Sequence, residues 1–554
     1  MSYSSFFNRL RTGYFIEVIV LSNISPGSQG AVENRNWFNR FLATVEWLGN
    51  LLPHPVTLFA LFAAGVVVLS GILGFFDVNV ADPRPEGAAG RASNGLIEVV
   101  SLMNAEGLQR IFTGLVTNFT GFAPLGTVLV AMLGVAVAEH SGLLSAAMRA
   151  LVMNASKRAV TVTIVFAGIV SNTASELGYV VLIPLAAMIF HSLGRHPLAG
   201  LAAAFAGVSG GYSANIFLGT VDPLLAGFTE SAAHLINPNY VVGPEVNWYF
   251  MFVSTFVISA AGAFVTEKIV EPRLGPYNPK EASIDLGEQK MDTPSDDERK
   301  GLKAAGLALL AVTALLSITI IPIDVPGFGA LLNPETGNIT GSPFLKSIVV
   351  IIFIVFGFVG FVYGRVAGTM KNDRDVIDAM SKSIGSLGLY ITLVFFAAQF
   401  VAFFKWTNLG TVLAVKGAAL LQYLGLDGPE VFILFIIMCA IVNLSLGSAS
   451  AQWAITAPIF VPMLMLIGYA PEVIQAAYRI GDSISNLITP MMSYFGLILA
   501  MAAKYKKDLG LGTLIAMMLP YSMVFFVVWT VFFYVWVFLL GMPVGPGAAT
   551  YYNP

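Results

Sequence analysis

Nine long apolar segments constrain the fold of this chain more than any other feature. Each is at least 17 residues long, and an α-helix needs about 20 residues to cross the hydrocarbon core of a bilayer. A soluble core cannot bury this much apolar surface, because 56% of the 554 residues are hydrophobic and only 11% are charged. A transmembrane β-barrel is excluded because its strands would be short and alternating. The predicted spans are 54–76, 122–144, 197–220, 249–266, 304–322, 347–363, 384–404, 474–503 and 511–540.

Two further apolar segments are interrupted in the same way. A serine opens each interruption, an aromatic residue follows eight positions later and a proline thirteen positions later. These residues are Ser171, Tyr179 and Pro184 in the first segment, and Ser445, Trp453 and Pro458 in the second. Backbone that leaves the helix within a bilayer is tolerated only beside protein or a water-filled cavity. Paired interruptions in two halves of a chain indicate the binding site of a transporter. We therefore predict re-entrant hairpins over 160–193 and 431–467, with two ordinary kinked spans as the alternative.

The basic residues predict how the chain is oriented. With the N-terminus inside, most of the 29 Lys and Arg residues fall on the cytoplasmic side, as the positive-inside rule requires. Lys157, Arg158 and Arg195 flank the first hairpin, which therefore enters from the cytoplasm, whereas the second hairpin has only acidic flanks and opens outside. Two similar hairpins of opposite orientation form an inverted repeat. We expect a multi-pass protein of the inner cell membrane.

The same map predicts the division of the chain. Residues 1–53 form an N-terminal cytoplasmic extension and interfacial segment, and the start of the chain is either native or an upstream addition. The remaining parts are a first repeat half (54–267), a charged linker (268–303), a second repeat half (304–510) and a last helix with an outside tail (511–554). Residues 94–121 and 407–423 are amphipathic and are not expected to span. Glycines and asparagines at 210–215 and 481–486 predict spans that unwind near the midplane.

Polar side chains in the second half predict a cation site. Ionisable groups within a span are costly, so they are functional by default. The cluster consists of Asn443, Ser445, Ser448, Ser450, Trp453, Arg479, Asp482 and Asn486. Asp482 and Asn486 lie four residues apart on one helical face, and hard cations such as Na⁺ take oxygen ligands. Asp482 carrying a proton, or a purely structural Arg479–Asp482 ion pair, are the alternatives.

The first half carries a corresponding set. Its members are Ser171, Asn172, Thr173, Ser175, Glu176, Asn215 and Asp222. Asn172 and Asn215 are expected to face a cation from two sides. Asp222 either caps a helix or lines the substrate cavity, and Glu176 is either a site residue or a solvated hairpin tip.

A substrate with an anionic group and an aromatic ring suits these hairpins. The helix N-terminus after each break directs partial positive charge into the cavity. Tyr179 and Trp453 offer flat faces for a ring, although plain packing remains open for Trp453. Arg479 is also able to pair with a substrate carboxylate.

Several other classes of protein are excluded. The five histidines are scattered and no His-Glu-x-x-His occurs, which argues against a metal enzyme. No phosphate-binding loop is present to use ATP, and no basic cluster suits nucleic acid. The single cysteine, Cys439, rules out a disulfide within the chain. We expect no enzyme activity and no cofactor beyond a coupling ion.

The motifs together resemble the aminobenzoyl-glutamate transporter (AbgT) family over residues 36–540. The resemblance rests on the stretches 171–176, 207–215, 443–453 and 478–483. It implies nine spans, two opposed hairpins and a homodimer in membrane lipid. It also implies transport of p-aminobenzoyl-glutamate, or efflux of p-aminobenzoate-like compounds and sulfonamide antimetabolites. The functional positions carried over are Asp222, Asn443, Ser450, Trp453, Pro471, Arg479, Asp482 and Pro490.

The sequence therefore predicts an all-α polytopic membrane protein that works as an elevator-type carrier. Its substrate site would contain the eight positions carried over from the family resemblance, from Asp222 to Pro490, together with Tyr179. Its cation site would contain Asn172, Asn215, Ser445, Asp482 and Asn486, with Na⁺ or H⁺ as the coupling ion. A proton-driven drug exporter and an ion channel are the alternatives from other classes.

Overall fold

The computed structural model describes residues 53–91, 93–174, 178–283, 293–323, 325–339, 341–507 and 509–553. The predicted N-terminal extension lies outside these residues except for its last position, as do Ser175 and Glu176 of the first interruption. Within the described part, the chain is mostly helical, with one antiparallel pair of short strands.

Eight helical stretches of the described part are long and apolar enough to cross a membrane. They are Pro55–Phe75, Ala105–His140, Trp248–Leu274, Asp296–Ile318, Ile348–Ala367, Gly388–Trp406, Ala449–Leu466 and Leu511–Leu539. Shorter apolar helices lie between them, including both arms of the first predicted hairpin. The mostly helical fold with several potential spans agrees with the class predicted from hydropathy.

The described part of residues 53–283 contains ten α-helices and the strand pair. The elements are α1 (Pro55–Phe75), β1 (Asn79–Ala81), β2 (Leu96–Glu98), α2 (Ala105–Thr120), α3 (Ala123–His140), α4 (Leu143–Met153), α5 (Val160–Ser171), α6 (Ile183–Ser192), α7 (Pro197–Phe205), α8 (Val221–Ala233), α9 (Trp248–Val265) and α10 (Glu271–Leu274). Short π-helical turns extend α6 at its start, over Gly178–Leu182, and α7 at its end, over Ala206–Gly210.

Within residues 293–553, the described part of the chain contains eleven α-helices. They are α11 (Asp296–Ile318), α12 (Pro343–Lys346), α13 (Ile348–Ala367), α14 (Asp373–Ser386), α15 (Gly388–Trp406), α16 (Leu409–Tyr423), α17 (Val431–Leu446), α18 (Ala449–Leu466), α19 (Pro471–Ser485), α20 (Phe495–Tyr505) and α21 (Leu511–Tyr534).

Both predicted hairpins consist of two helices with a break between them. In the second, α17 ends at Leu446, and Gly447 with φ +60° takes the left-handed conformation that ends helices. Ser448 then caps α18 by accepting a hydrogen bond from the backbone N–H of Ala451. The arms of the first hairpin are α5, which ends at Ser171, and α6 with its π-helical start at Gly178, and residues 175–177 between them lie outside the described residues. The break positions agree with the interruptions in the sequence.

The spans that follow the two hairpins are also broken. The segment predicted as 197–220 is helical only through Gly210, and the segment predicted as 474–503 is interrupted between Ser485 and Phe495. Glycine allows close backbone contact at these points. A Cβ on Gly207 would lie 2.3 Å from the carbonyl oxygen of Val165, and one on Gly481 would lie 2.6 Å from that of Ile436. Each broken span therefore packs directly against the first arm of the preceding hairpin.

The structure differs from the sequence-based map at the linker. Its charged residues predicted a solvated segment over 268–303, but α11 already begins at Asp296. A capping box between Ser295 and Glu298, followed by an acidic first turn, stabilises this helix start. Hydropathy misses such a polar first turn because its residues are charged.

Three further features differ from expectation. The β1–β2 pair was not predicted, because strands of three residues leave little periodicity to detect. Helix α14 is amphipathic and lies before the span that begins at Gly388. Residues 94–121, expected not to span, include α2, which only Gly121 and Phe122 separate from α3, so that the two form one apolar helical stretch.

Candidate functional site

The breaks of the two hairpins meet at a polar cavity of about 250 Å³. Its lining comes from both halves of the chain. The lining residues are Asn172, Tyr179, Tyr212, Thr220, Val221, Gly447, Ser448, Ala449, Ser450, Asn486, Met492, Ser493 and Tyr494. Two pairs of broken elements, far apart in sequence, therefore surround one site.

The N-terminus of α18 lines this cavity. Ser448 is its cap, and the hydroxyl oxygens of Ser448 and Ser450 lie 3.4 Å apart. The first N–H groups of a helix carry partial positive charge, which favours an anionic group nearby. This end of the cavity is thus suited to a carboxylate.

Asn172 connects the first hairpin to the broken span that follows it. Its amide nitrogen lies 2.9 Å from the carbonyl oxygen of Val208 and also contacts the carbonyls of Gly168 and Ile169. The side-chain oxygen of Asn172 is buried and accepts no hydrogen bond within the described part of the chain. This oxygen is free to accept a hydrogen bond from a ligand or to bind a cation.

Asn443 repeats this arrangement in the second half. Its amide nitrogen donates to the carbonyl oxygen of Asp482 at 3.0 Å, to Oγ of Ser485 at 2.9 Å and to Oδ1 of Asn486 at 2.7 Å. The Oδ1 atoms of both Asn443 and Asp482 are buried without a hydrogen-bond partner among the described residues. The other carboxylate oxygen of Asp482 accepts from Asn486 at 3.4 Å. Buried oxygens without donors are of the type that binds a hard cation.

The remaining two predicted cation ligands are placed differently. Oδ1 of Asn215 already accepts hydrogen bonds from the Thr173 hydroxyl at 3.1 Å and from the Phe217 N–H at 3.2 Å. Ser445 is half-buried in the last turn of α17 and is not among the residues that line the cavity.

Arg479 and Asp222 form a buried ion pair between the two halves. The Arg479 Nη2 and Asp222 Oδ1 atoms are 2.7 Å apart, and both side chains are at most 3% exposed. The second oxygen of Asp222 accepts a hydrogen bond from the Gly219 N–H at 2.7 Å. The sequence-based alternative of an Arg479–Asp482 ion pair is therefore wrong, because Arg479 reaches across to α8 instead. Nε and Nη1 of Arg479 keep no hydrogen-bond acceptor in the described part of the chain.

Trp453 and the two prolines lie away from the cavity lining. The Trp453 ring is fully buried and stacks on Tyr478 at 4.2 Å, while its indole N–H donates to the Thr229 hydroxyl at 2.9 Å. Pro471 begins α19, at the end of that helix remote from Asp482. Pro490 is half-buried in the break between α19 and α20.

A pair of stacked tyrosines includes a residue that the sequence did not single out. The rings of Tyr179 and Tyr494 are 4.6 Å apart and nearly parallel, at 7°. The Tyr179 hydroxyl also lies 3.7 Å from the sulfur of Met492. Tyr179 was selected from its hairpin, whereas Tyr494, Met492 and Tyr212 were missed. Pro490 could have pointed to Met492 and Tyr494, because it marks the break that brings them to the site.

Broken helices around a polar cavity, in a chain with several potential membrane spans, define a solute transporter of the membrane. The chain matches the sequence profile of the AbgT putative transporter family over residues 40–552. It is also 35% identical over 520 residues to the p-aminobenzoyl-glutamate transport protein of Escherichia coli (strain K12), a match that covers 94% of this chain and 99% of the relative.

Two solved structures are similar over almost the whole chain. One is MtrF of Neisseria gonorrhoeae, described within a class of antimetabolite efflux pumps, with 62% identity, a TM-score of 0.86 and coverage of 92% of this chain and 100% of that one. The other is the YdaH transporter of Alcanivorax borkumensis, described as having an unusual topology, with 45% identity, a TM-score of 0.81 and coverage of 89% and 100%. The chain belongs to the AbgT transporter family. It is a multi-pass membrane protein, and its relatives are transporters rather than enzymes.

Proposed function

We propose that this protein is a secondary active transporter of p-aminobenzoyl-glutamate or related aminobenzoate-type compounds, coupled to an ion gradient. The observation that carries the proposal is the polar cavity between the two breaks, with stacked tyrosines and a helix N-terminus in its lining. The named substrate of the Escherichia coli relative supports this substrate class.

The cavity provides a place for each part of such a substrate. Tyr179 and Tyr494 present aromatic surface for the benzoyl ring, since aromatic rings favour offset stacking and edge contacts. Ser448, Ser450 and the N-terminus of α18 suit a carboxylate of the glutamyl group. A volume of about 250 Å³ is slightly below the range of ~300–1,000 Å³ that is common for small-molecule sites, so a compact ligand fits best.

The coupling ion in this proposal is Na⁺, bound beside the second hairpin. Asn443 Oδ1 and Asp482 Oδ1 are its first ligands, because both are buried oxygens without a donor. Asn172 Oδ1 is the corresponding atom of the first hairpin. A proton carried by Asp482 is the competing mechanism, since burial of an unpaired carboxylate favours its neutral form.

The membrane arrangement belongs to the same proposal. The two helix pairs α5–α6 and α17–α18 are re-entrant hairpins of opposite orientation within an arrangement of nine spans, and the N-terminus is cytoplasmic. The hairpins and the broken spans that follow them move as one unit against the rest of a homodimer in the inner membrane, as in an elevator. A crosslink that fixes a hairpin to α13 and leaves transport unchanged would contradict the moving unit.

The test is uptake of labelled p-aminobenzoyl-glutamate into proteoliposomes with Na⁺ and H⁺ gradients imposed separately. Accumulation driven by an inward Na⁺ gradient, and lost in Asp482→Asn, supports the symporter and its ion site. Asp373→Asn serves as a matched control, because it makes the same replacement at an exposed carboxylate of α14 outside the cavity. Failure of the labelled compound to accumulate under either gradient overturns the proposed substrate.

An exporter of sulfonamide antimetabolites and p-aminobenzoate is the second candidate. The 62% identity to MtrF, an antimetabolite efflux pump, favours this direction of transport. In the same vesicles, an outward H⁺ gradient would then drive accumulation of labelled sulfonamide, and a Na⁺ gradient would have no effect. The two candidates are separated by which gradient drives accumulation.

A further inference from the structure

A second polar cavity, of about 540 Å³, lies apart from the hairpin breaks. Its walls are the β1–β2 pair with its loop, helix α2, the segment after α8 and the turn between α15 and α16. Four basic side chains line it, and we call it the basic pocket. They are Arg84, Arg110, His234 and Lys405.

Two of these four side chains are already engaged. Arg84 is buried and binds the carboxylate of Asp82 through Nε at 2.8 Å and Nη2 at 2.6 Å. Its third nitrogen, Nη1, donates to the carbonyl oxygen of Ile236 at 2.7 Å. Arg84 therefore fixes the wall of the basic pocket and is already neutralised.

His234 is also held by the protein. Its Nε2 lies 2.8 Å from the carbonyl oxygen of Tyr240 and 3.8 Å from a carboxylate oxygen of Glu230. Burial lowers the pKa of His234, the hydrogen bond with the Tyr240 carbonyl opposes this, and the charge of Lys405 lowers the pKa further. The ring is thus neutral near pH 7, and Lys405 lies close enough to influence it.

Arg110 and Lys405 are different, because neither forms an ion pair within the described part of the chain. Glu106 lies one helical turn before Arg110 and makes no ion pair with it. The Arg110 guanidinium instead lies over the ring of Trp406, 4.5 Å from its centroid. Such a cation–π contact holds the guanidinium in place without neutralising its charge.

A glycine makes room for this arrangement. Trp406 packs against Gly114 of α2, where a Cβ would lie 2.6 Å from the indole. The indole therefore contacts α2 at Gly114 and at the Arg110 side chain one turn earlier, and the guanidinium is oriented before any ligand arrives. Pre-organised arginine forks bind carboxylates in two-point geometry.

We propose that the basic pocket binds a small organic anion with two or more carboxylate groups. Arg110 supplies a two-point contact to one carboxylate, and Lys405 pairs with another. The volume falls within the range of ~300–1,000 Å³ that is common for small-molecule sites and exceeds the need of an inorganic ion. This binding site is separate from the cavity at the hairpin breaks, and it does not depend on the function proposed for that cavity.

The anion is a soluble molecule rather than a lipid headgroup. The exposed apolar residues Leu108, Phe112 and Val116 form one stripe of α2. Arg110 lies about 200° around the helix from Leu108, since successive residues turn by ~100°. An acyl chain on the apolar stripe would therefore place its headgroup away from Arg110.

The test is calorimetric titration of citrate into the purified full-length protein in neutral detergent at constant chloride. We expect saturable binding that Arg110→Gln and Lys405→Gln each weaken about tenfold, because each removes a charge-assisted contact. Lys416→Gln is the matched control, since Lys416 is an exposed lysine of α16 outside the basic pocket, and it should bind as the wild type does.

Three outcomes overturn the proposal. They are the absence of saturable binding by the wild type, equal binding by the wild type and the Arg110→Gln, Lys405→Gln double variant, and thermal stabilisation by phosphatidylglycerol nanodiscs with none by citrate. If Arg110→Gln does not fold, Arg110→Lys keeps the charge and removes the fork. Arg110→Lys should then lower the affinity for citrate by less than Lys405→Gln does. An unchanged affinity in both Arg110→Lys and Lys405→Gln also contradicts the site.

Discussion

Arg479 of α19 and Asp222 of α8 are 257 residues apart in sequence and form a buried ion pair with a 2.7 Å contact. The pair joins the broken span of the second half to the helix that follows the break in the first half. Both charges are almost fully removed from water, so each depends on the other for compensation. This contact makes the two halves of the site one structural unit.

Removing either partner of this pair should destabilise the protein strongly. Asp222→Ala or Arg479→Ala leaves one buried charge without compensation, which costs about 3–5 kcal/mol. The double variant should lose clearly less than the sum of the two single losses. The measurement is a double-mutant cycle on the unfolding free energy in detergent.

The control for that cycle is Lys300 with Asp297, a pair on α11 in which the side chains are 68% and 69% exposed. Its coupling should be far smaller, as is usual for accessible pairs. Additive losses for Asp222 and Arg479 would show that their contact contributes nothing specific.

Close packing of α17 against α19 predicts a sharp difference between two glycines. A Cβ on Gly481 would lie 2.6 Å from both the Ile436 carbonyl oxygen and the Cβ of Cys439. Gly481→Ala should therefore destabilise by about 1–3 kcal/mol through overpacking. Gly496→Ala, in α20 where nothing lies within 4 Å, should be neutral or slightly stabilising because alanine favours helix. Thermal unfolding of the two variants checks this, and equal midpoints contradict the packing argument.

The breaks in the hairpins and the break after Gly210 were predictable from the sequence, because they are local. An apolar run that is interrupted by serine and asparagine reveals where a helix ends, and Gly447 confirms it with its left-handed backbone. The prediction that the second broken span unwinds at 481–486 was wrong in position, since α19 stays helical through Ser485 and the break follows it.

The contact between Asp222 and Arg479 was not predictable. It joins residues from different halves, and nothing near Arg479 in sequence distinguishes Asp222 from the nearer Asp482.

Which residue of the first half corresponds to which residue of the second half could be determined only from the structure. Serine and proline spacing aligned Ser171 with Ser445, whereas hydrogen bonds give Asn172 and Asn443 the same role. Both asparagines precede the asparagine of the next broken span by 43 residues, Asn215 in one case and Asn486 in the other. Which residue faces the neighbouring span depends on helix rotation, and a pattern of residue types does not determine it.

Glu245 predicts how stability depends on pH. This carboxyl, in the loop before α9, is 8% exposed, and its Oε2 has no partner among the described residues. Burial raises the pKa of Glu245 above its ordinary value of 4.5. The folded state therefore favours the protonated form, and this stabilisation is present below about pH 4.5 and lost as the pH rises through the raised pKa.

Glu245→Gln removes the buried charge and should raise the unfolding temperature more at pH 8 than at pH 5. The control is Glu335→Gln, an exposed acid whose replacement should have the same small effect at both values. A pH-independent effect of Glu245→Gln would show that its carboxyl is ionised equally in the folded and unfolded chain.

The burial of Trp453 away from the cavity lining predicts that its replacement lowers stability while ligand affinity changes little. Because its ring is buried against Tyr478 rather than in the cavity lining, Trp453→Phe should keep substrate affinity within about threefold, well short of the tenfold change that 1.4 kcal/mol represents. Trp453→Phe loses the hydrogen bond to Thr229, which costs about 0.5–1.5 kcal/mol of stability, whereas Trp453→Ala should cost about 3–5 kcal/mol.

Trp529→Phe is the matched control, since Trp529 is equally buried and donates to Ser254 at 2.9 Å. Binding of p-aminobenzoyl-glutamate and thermal unfolding measure the two effects on the same samples. A loss of affinity beyond tenfold with an unchanged unfolding temperature would instead place Trp453 in contact with the ligand.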